Sequence, residues 1–149
     1  MGKFANKRGD ELVASVKKAI NPDGLIIDTD TYIKPNAPLN HTEDIGDVDV
    51  LIIDQTDKIL YSLECKSMSP SRNVKEMIEE VSKLFGENSS EKGWIEKHMI
   101  RHRWLENNLD AVGRVYKTDL NDFRIKSFFV TNEEMLIPIC AGRHYHCLL

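Results

Sequence analysis

Residues 46–66 constrain this chain more than any other stretch. They read Gly-Asp-Val-Asp-Val-Leu-Ile-Ile-Asp, then a polar link over 55–58, then Ile-Leu-Tyr-Ser-Leu-Glu-Cys-Lys. Two runs of alternating character around a short polar link are the sequence form of a β-hairpin. Strand side chains point to opposite faces in turn, so Asp47, Asp49, Leu51 and Ile53 share one face. On the second strand Leu60, Ser62, Glu64 and Lys66 share one face, and Ile59, Tyr61, Leu63 and Cys65 the other. A link centred between Thr56 and Asp57 sets Asp49 opposite Glu64 and Asp47 opposite Lys66.

Directly opposed carboxylates have Cβ atoms about 4.5–5.5 Å apart and repel. A divalent cation between them reverses the sign of that interaction, because hard cations such as Mg²⁺ prefer carboxylate oxygens. Lys66 adds a positive group able to hold a nucleophilic water or stabilise an anionic transition state. The hairpin therefore reads as half of a metal-dependent phosphodiester hydrolysis site. The plainer alternative is an edge hairpin with its charges in solvent, although exposed strand faces seldom carry aligned acids.

Asp49, a gap of fourteen residues, then Glu64-Cys65-Lys66 resembles the PD-(D/E)XK nuclease superfamily, with its restriction-endonuclease-like fold. Val48 stands where the family name has proline. The resemblance implies that Asp49 and Glu64 bind Mg²⁺, with Mn²⁺ able to substitute, and that Lys66 assists the attacking water. A backbone carbonyl near Cys65 is expected to complete the protein ligands. The superfamily often adds an acid from the first helix, for which Glu11 is the nearest residue. At 100° per residue, Glu11 lies well away from the helical stripe centred on Val16, and Asp10 borders the stripe on its other side. A first-turn acid that favours the helix dipole is an equal explanation for either.

The 149 residues suit a single domain over 1–149, and 41% hydrophobic with 30% charged residues is ordinary for a globular chain. No apolar run approaches bilayer length, and no signal peptide opens the chain. Three cysteines, Cys65, Cys140 and Cys147, lack framework spacing, so a reducing, cytoplasmic setting is expected. A net charge of −4 argues against non-specific coating of DNA. It leaves catalysis open, because metal-binding acids are neutralised in a working site and local fields outweigh the total.

Leu12, Val13, Val16, Ala19 and Ile20 make a helical stripe over 10–20, closed by Asn21-Pro22-Asp23-Gly24. Residues 25–33 read as a strand, with Ile26, Asp28, Asp30 and Tyr32 against Ile27, Thr29, Thr31 and Ile33. Residues 34–44 read as a loop. Asn73-x-x-Glu76 resembles a capping box opening a helix whose apolar face is Val74, Met77, Ile78, Val81, Leu84 and Phe85, ended by Gly86. A second helix is expected over about 91–108, a strand over 125–130 and a further strand over 136–140. The order matches an α/β fold with the αβββαβ core of the nuclease superfamily plus one helix, a central mixed sheet flanked by helices.

Arg72, Lys97 and Arg101 are the residues expected to touch nucleic acid, with Lys7 and Arg8 as further basic groups. Solvated surface charge is the blander account of Lys7, Arg8 and Arg72, whereas Lys97 and Arg101 share one face of their helix. His98 and His102, one helical turn apart, fall inside the apolar arc of Trp94, Ile95, Met99, Leu105 and Leu109. They lack an evident third metal ligand, so packing on the sheet, or one ring reaching the cleft, is the better expectation. Cys140, His144, His146 and Cys147 offer zinc donors, but adjacent His146 and Cys147 would point to opposite strand faces.

These readings converge on a Mg²⁺-dependent DNA endonuclease of restriction, defence or DNA repair, working alone, as a homodimer or within a larger nuclease assembly. The competing reading is a catalytically silent nuclease-like module that binds nucleic acid or a partner subunit.

Overall fold

The computed structural model describes residues 2–68, 71–86, 92–132 and 146–148, without the side chains of 2–8 and 146–148. Among the described residues ten elements follow one another. Helix α1 (Gly2–Ala19) leads to β1 (Leu25–Lys34), the short β2 (Leu39–Asn40), β3 (Asp47–Asp54) and β4 (Ile59–Lys66). Then come α2 (Val74–Phe85), α3 (Trp94–Asn107), α4 (Leu109–Tyr116), β5 (Arg124–Thr131) and β6 (His146–Leu148). The strands form one mixed sheet in the order β2-β1-β3-β4-β5-β6. Strand β3 pairs antiparallel with β1 and β4, whereas β4–β5 and β5–β6 are parallel. The α/β class and the flanked mixed sheet expected from the sequence are present. Among the described residues no helix is long and apolar enough to cross a membrane.

The central strands explain their own composition. Val50, Leu51, Ile52 and Ile53 are all buried, a continuous apolar run that fits a strand covered on both faces. One face carries Val50, Ile52, Leu63 and Cys65 beneath Leu12, Val13 and Val16 of α1 and Ile20 just after it. The opposite face carries Leu51, Ile53 and Leu60 beneath Trp104 and Leu105 of α3 and Val112 of α4. Sheet and helices thus form three layers, with a separate apolar cluster in each interface.

Strand β1 departs from the simple alternation read in the sequence. Ile26 and Ile33 pack in the α3–α4 cluster, while Ile27 packs in the α1 cluster. Asp30 causes the change: it takes φ 53, a left-handed conformation that a short polar side chain tolerates. Pairing with β3 continues on both sides of it, Thr29 with Val50 and Thr31 with Val48. Val48 joins the α3–α4 cluster, so β3 shifts at the matching place.

Other boundaries also move. Helix α1 starts near the beginning of the chain rather than at residue 10, and the expected loop over 34–44 contains β2. The helix expected over 91–108 is α3; it ends at Asn108, which takes φ −132 and donates its side-chain amide to the Trp104 carbonyl, and α4, not expected from the sequence, follows it. Glu91, the strand expected over 136–140, the side chains of Lys7 and Arg8 and the Cys140–Cys147 zinc donors lie outside the described residues or side chains.

Helix α2 opens as the sequence indicates. Asn73 caps it by accepting from the Glu76 N–H at 3.0 Å, and Glu76 accepts in return from the Arg72 N–H at 2.6 Å. Its apolar face is only partly used. Leu84 is buried, but Val74, Ile78, Val81 and Phe85 remain exposed.

Candidate active site

The hairpin register is the one read from the sequence: Val50 lies opposite Leu63, Leu51 opposite Ser62 and Asp54 opposite Ile59. The ladder of β3 and β4 ends at Val50 and Leu63, one step before Asp49 and Glu64. Beyond that step the Cys65 N–H donates to Asp49 Oδ2 at 2.6 Å. A carboxylate thus takes the place of a backbone acceptor where the two strands part, and this anchors Asp49 beside Glu64. In a strand the N–H and C=O of one residue face the same neighbour, so the Cys65 carbonyl is turned towards β3 as well.

Both acids meet one ammonium. Lys66 Nζ stands 2.7 Å from Glu64 Oε1 and 3.9 Å from Asp49 Oδ2. The three residues expected to share a site are brought together, at the point where the sheet opens. Lys66 also lies 5.8 Å from the centroid of the Trp94 ring, at the start of α3.

The sequence reading had looked to a metal to relieve the repulsion between the acids, but the fold supplies cations of its own. Arg101 donates from Nη2 to Glu64 Oε2 and from Nη1 to the Ile45 carbonyl at 3.2 Å. Both Arg101 and Glu64 have side chains only 6% exposed. Arg101, expected to touch nucleic acid, is instead a buried partner of Glu64. Gly46 makes room for it, since the loop residue takes φ 89 and a Cβ there would stand 3.1 Å from Arg101 Nη1. A spacing signal for this was present. Trp94, His98, Arg101 and Leu105 follow one another by four, three and four residues, the period of one helical face. His98, Arg101 and Leu105 are all buried.

Of the two histidines expected to pack on the sheet or to reach the cleft, His98 is the one beside Glu64. It is 2% exposed, its Nδ1 is 3.8 Å from Glu64 Oε2, and neither ring nitrogen has a hydrogen-bond partner. His102, by contrast, pairs its Nδ1 with Ser127 Oγ at 2.6 Å and so packs on β5.

Burial and neighbouring charge set the protonation of the site. Burial first, and Glu64 second, push the Asp49 carboxyl up to about 6, against the pull of Lys66 and the Cys65 N–H. Burial opposes the Lys66 ammonium, but Glu64 and Asp49 together hold it above the usual lysine value. Burial brings the His98 imidazole down to about 4, against the attraction of Glu64, so the ring is neutral at pH 7. The Cys65 thiol, buried and next to both acids, is pushed up to about 12 and is inert as a nucleophile.

The remaining expected residues fall elsewhere. Glu11 is exposed on α1, the helix that covers the sheet face opposite α3, and its carbonyl accepts from the Ser15 hydroxyl. Asp10 is exposed on the same helix. Neither is brought to Glu64. Arg72 is exposed and lines a groove with Ser67, Glu76, Lys83 and Trp94 beside Lys66. Lys97 is exposed and lines a second groove with Lys92, His41 and Ile100, at whose floor Arg101 lies.

Two carboxylates that share one ammonium are donors of the kind a hard cation prefers. Lys66 and Arg101 already stand as cations on those oxygens. In this arrangement no group of three or more His, Cys, Asp or Glu side chains among the described residues is set to hold a metal ion. No protein-family model, curated protein or solved structure matches the chain.

Proposed function

We propose that this chain is a metal-dependent DNA endonuclease with a restriction-endonuclease-like core of the PD-(D/E)XK kind. The observation that carries the reading is the Lys66 ammonium, in contact with both Asp49 and Glu64 where β3 and β4 part. A half-buried lysine shared by two acids is costly to assemble for stability alone, because each partly desolvated charge must be offset by its partners. A hydrolytic site for phosphodiesters has a use for all three.

Asp49, Glu64 and the Cys65 carbonyl would hold the metal, Mg²⁺ or Mn²⁺. When bound, that ion supplies Lewis acidity towards phosphoryl oxygens and an acidified water. Lys66 orients a water for in-line attack and offers positive charge to the developing anion. Glu64 keeps Lys66 in place, and the Trp94 ring covers its outer side. The exposed Lys97 and Arg72 line grooves beside the site and are placed to meet the phosphate backbone. A reducing, cytoplasmic setting suits the buried free thiol of Cys65. A homodimer, or a larger nuclease assembly, would allow both strands to be cut.

The buried Arg101–Glu64 pair favours a second reading, a nuclease-like module without catalysis. Two acids faced by Lys66 and Arg101 are already balanced, so the site is electrically complete without a metal. Plasmid DNA incubated with the pure chain and Mg²⁺ or Mn²⁺ separates the two. The nuclease reading expects nicked or linear product, lost in Lys66→Ala while the circular dichroism spectrum is kept. Equal cleavage by Lys66→Ala removes the catalytic assignment, and intact plasmid with DNA bound favours the silent module.

A further inference from the structure

Trp94 borders both Lys66 and an open groove. Its ring, half-buried at the first position of α3, has the Lys66 ammonium 5.8 Å from its centroid. The same ring lines a groove of about 390 Å³ between α2 and the residues that follow β4. That volume falls within the ~300–1,000 Å³ usual for ligand sites. The start of α3 is held in place, because a Cβ on Gly93 would stand 2.3 Å from the Leu84 carbonyl oxygen at the end of α2. The lining charges limit what the groove can take. Arg72 and Lys83 stand against Glu76, Glu79 and Glu80, and the neighbouring Lys66 makes the two signs equal in number. Two of the acids are engaged: Glu76 accepts from the Arg72 N–H and Glu80 from the Ser71 hydroxyl. The third, Glu79, keeps a side chain 54% exposed. A balanced groove with acids in its lining does not attract a phosphodiester backbone. It suits an uncharged planar ring with polar edges, since an indole stacks on any base and carboxylates accept from base amino groups.

We infer that Trp94 is a base-stacking residue, and that the substrate is DNA offering an unpaired nucleotide at the cleavage point rather than an intact duplex. The inference rests on Lys66 as the site of the phosphodiester and deepens that reading by naming the class of substrate. A phosphate held at Lys66 brings a base of its own nucleotide within reach of the Trp94 ring. Inside a duplex that base is paired and stacked on its neighbours, so it enters the groove only when it is extruded or when the strand is single. Trp94 then holds the base, while Lys66 and the exposed Arg72 meet the backbone beside it.

The test uses the full chain in chelator, so that nothing is cut, with three probes. These are a short single-stranded oligodeoxynucleotide, the blunt duplex of the same sequence, and the same single strand with abasic sites in place of its bases. The chain has two tryptophans, and Trp104 is only 9% exposed, so quenching by DNA reports on Trp94. The single strand is expected to quench the emission and to bind about 5- to 150-fold more tightly than the abasic strand, the worth of one stacked base. The duplex should bind more weakly than the single strand and leave the emission unchanged. Trp94→Ala should lower single-strand affinity by the same factor, whereas Trp94→Phe, which keeps a stacking face, should retain most of the affinity and lose the quenching. The comparison of the three probes needs no variant, so a poorly folded Trp94→Ala does not blunt the test. An abasic strand or duplex bound as tightly as the single strand, or a single strand bound without quenching, overturns the role of Trp94 and leaves the nuclease reading standing. A chain that binds none of the probes, and cuts none of them with Mg²⁺, overturns both.

Discussion

Arg101 and Glu64 form an ion pair whose two side chains are equally buried, 6% exposed each. A desolvated pair of this kind adds little net stability over an apolar isostere, but removal of one member leaves the other charged and alone, at a cost of about 3–5 kcal/mol. The loss here is moderated on one side, because Lys66 remains on Glu64 Oε1.

Arg101→Leu is therefore expected to lower the unfolding free energy by several kcal/mol in chelator, the lower half of that range being the better match. A divalent ion should then rescue the variant. Mn²⁺ would raise its melting temperature more than that of the wild type, because no guanidinium has to be displaced from Glu64. Thermal unfolding with EDTA and with Mn²⁺ measures both effects. A smaller Mn²⁺ shift in the variant than in the wild type would mean that Arg101 does not compete with the ion for Glu64.

The pH dependence of stability depends on two opposed shifts. The Asp49 carboxyl rises from 3.8 to about 6 on folding, so between pH 4 and 6 the folded chain keeps a proton that the unfolded chain has lost. Its contribution to stability falls as pH rises through that window. The His98 ring drops from 6.5 to about 4, so over nearly the same window the unfolded chain holds the extra proton. That contribution rises with pH. Each slope is about 1.4 kcal/mol per pH unit, and with opposite signs they nearly cancel in the wild type. Asp49→Asn should expose the His98 slope and lose stability on acidification from pH 6.5 to 4.5. His98→Asn should expose the Asp49 slope and gain stability over the same range. Urea unfolding in chelator at three pH values reads the slopes, and three parallel profiles would falsify the pairing.

The residues that meet in the site differ in how far sequence could disclose them. Asp49, Glu64 and Lys66 lie on two strands joined by a four-residue link, so period-two alternation and the register of the link suffice to align them. Arg101 and His98 come from a helix more than thirty residues later, and their approach to Glu64 depends on how α3 lies across the sheet. No local pattern encodes that crossing. Their exclusion from solvent was nevertheless written in the period of α3, with a charged and a polar residue on the face shared with Leu105. The β1 faces were misassigned because one residue, Asp30, takes a left-handed conformation that the composition of a strand does not announce. Tyr116 illustrates the same limit: its hydroxyl donates to Asp28 Oδ2 at 2.7 Å across a separation of 88 residues.

Gly93 controls how α3 begins. Its φ of −69 is open to any residue, so only space requires glycine. A Cβ there would stand 2.3 Å from the Leu84 carbonyl oxygen and 2.5 Å from the Gly86 nitrogen, both backbone atoms of the α2 terminus. Gly93→Ala must therefore shift one helix against the other, and overpacking of this sort costs about 1–3 kcal/mol. Trp94 is the next residue, so the shift should also disturb its contact with Lys66. Tryptophan fluorescence and chemical denaturation together check this. An unchanged spectrum with unchanged stability would show that α2 and α3 slide freely.

Helix α2 carries its apolar residues in an order that exposes them. Glu76, Glu79, Glu80 and Lys83 line the groove beside Trp94, while Val74, Ile78, Val81 and Phe85 follow one another by four, three and four residues. By helical geometry these two sets fall on opposite sides of the axis. The second set is 71%, 59%, 36% and 49% exposed in turn. Burial contributes to stability in proportion to area removed from water, so side chains this exposed contribute little. Ile78→Lys and Phe85→Lys, singly or together, are expected to change the unfolding free energy by no more than about 0.5 kcal/mol per site. Leu84→Ala on the same helix, fully buried, should cost about 2–5 kcal/mol. The contrast between neighbours on one helix is the informative quantity. A double lysine variant that unfolds as readily as Leu84→Ala would show that the stripe is covered in the folded protein, by a second copy or by another part of the chain.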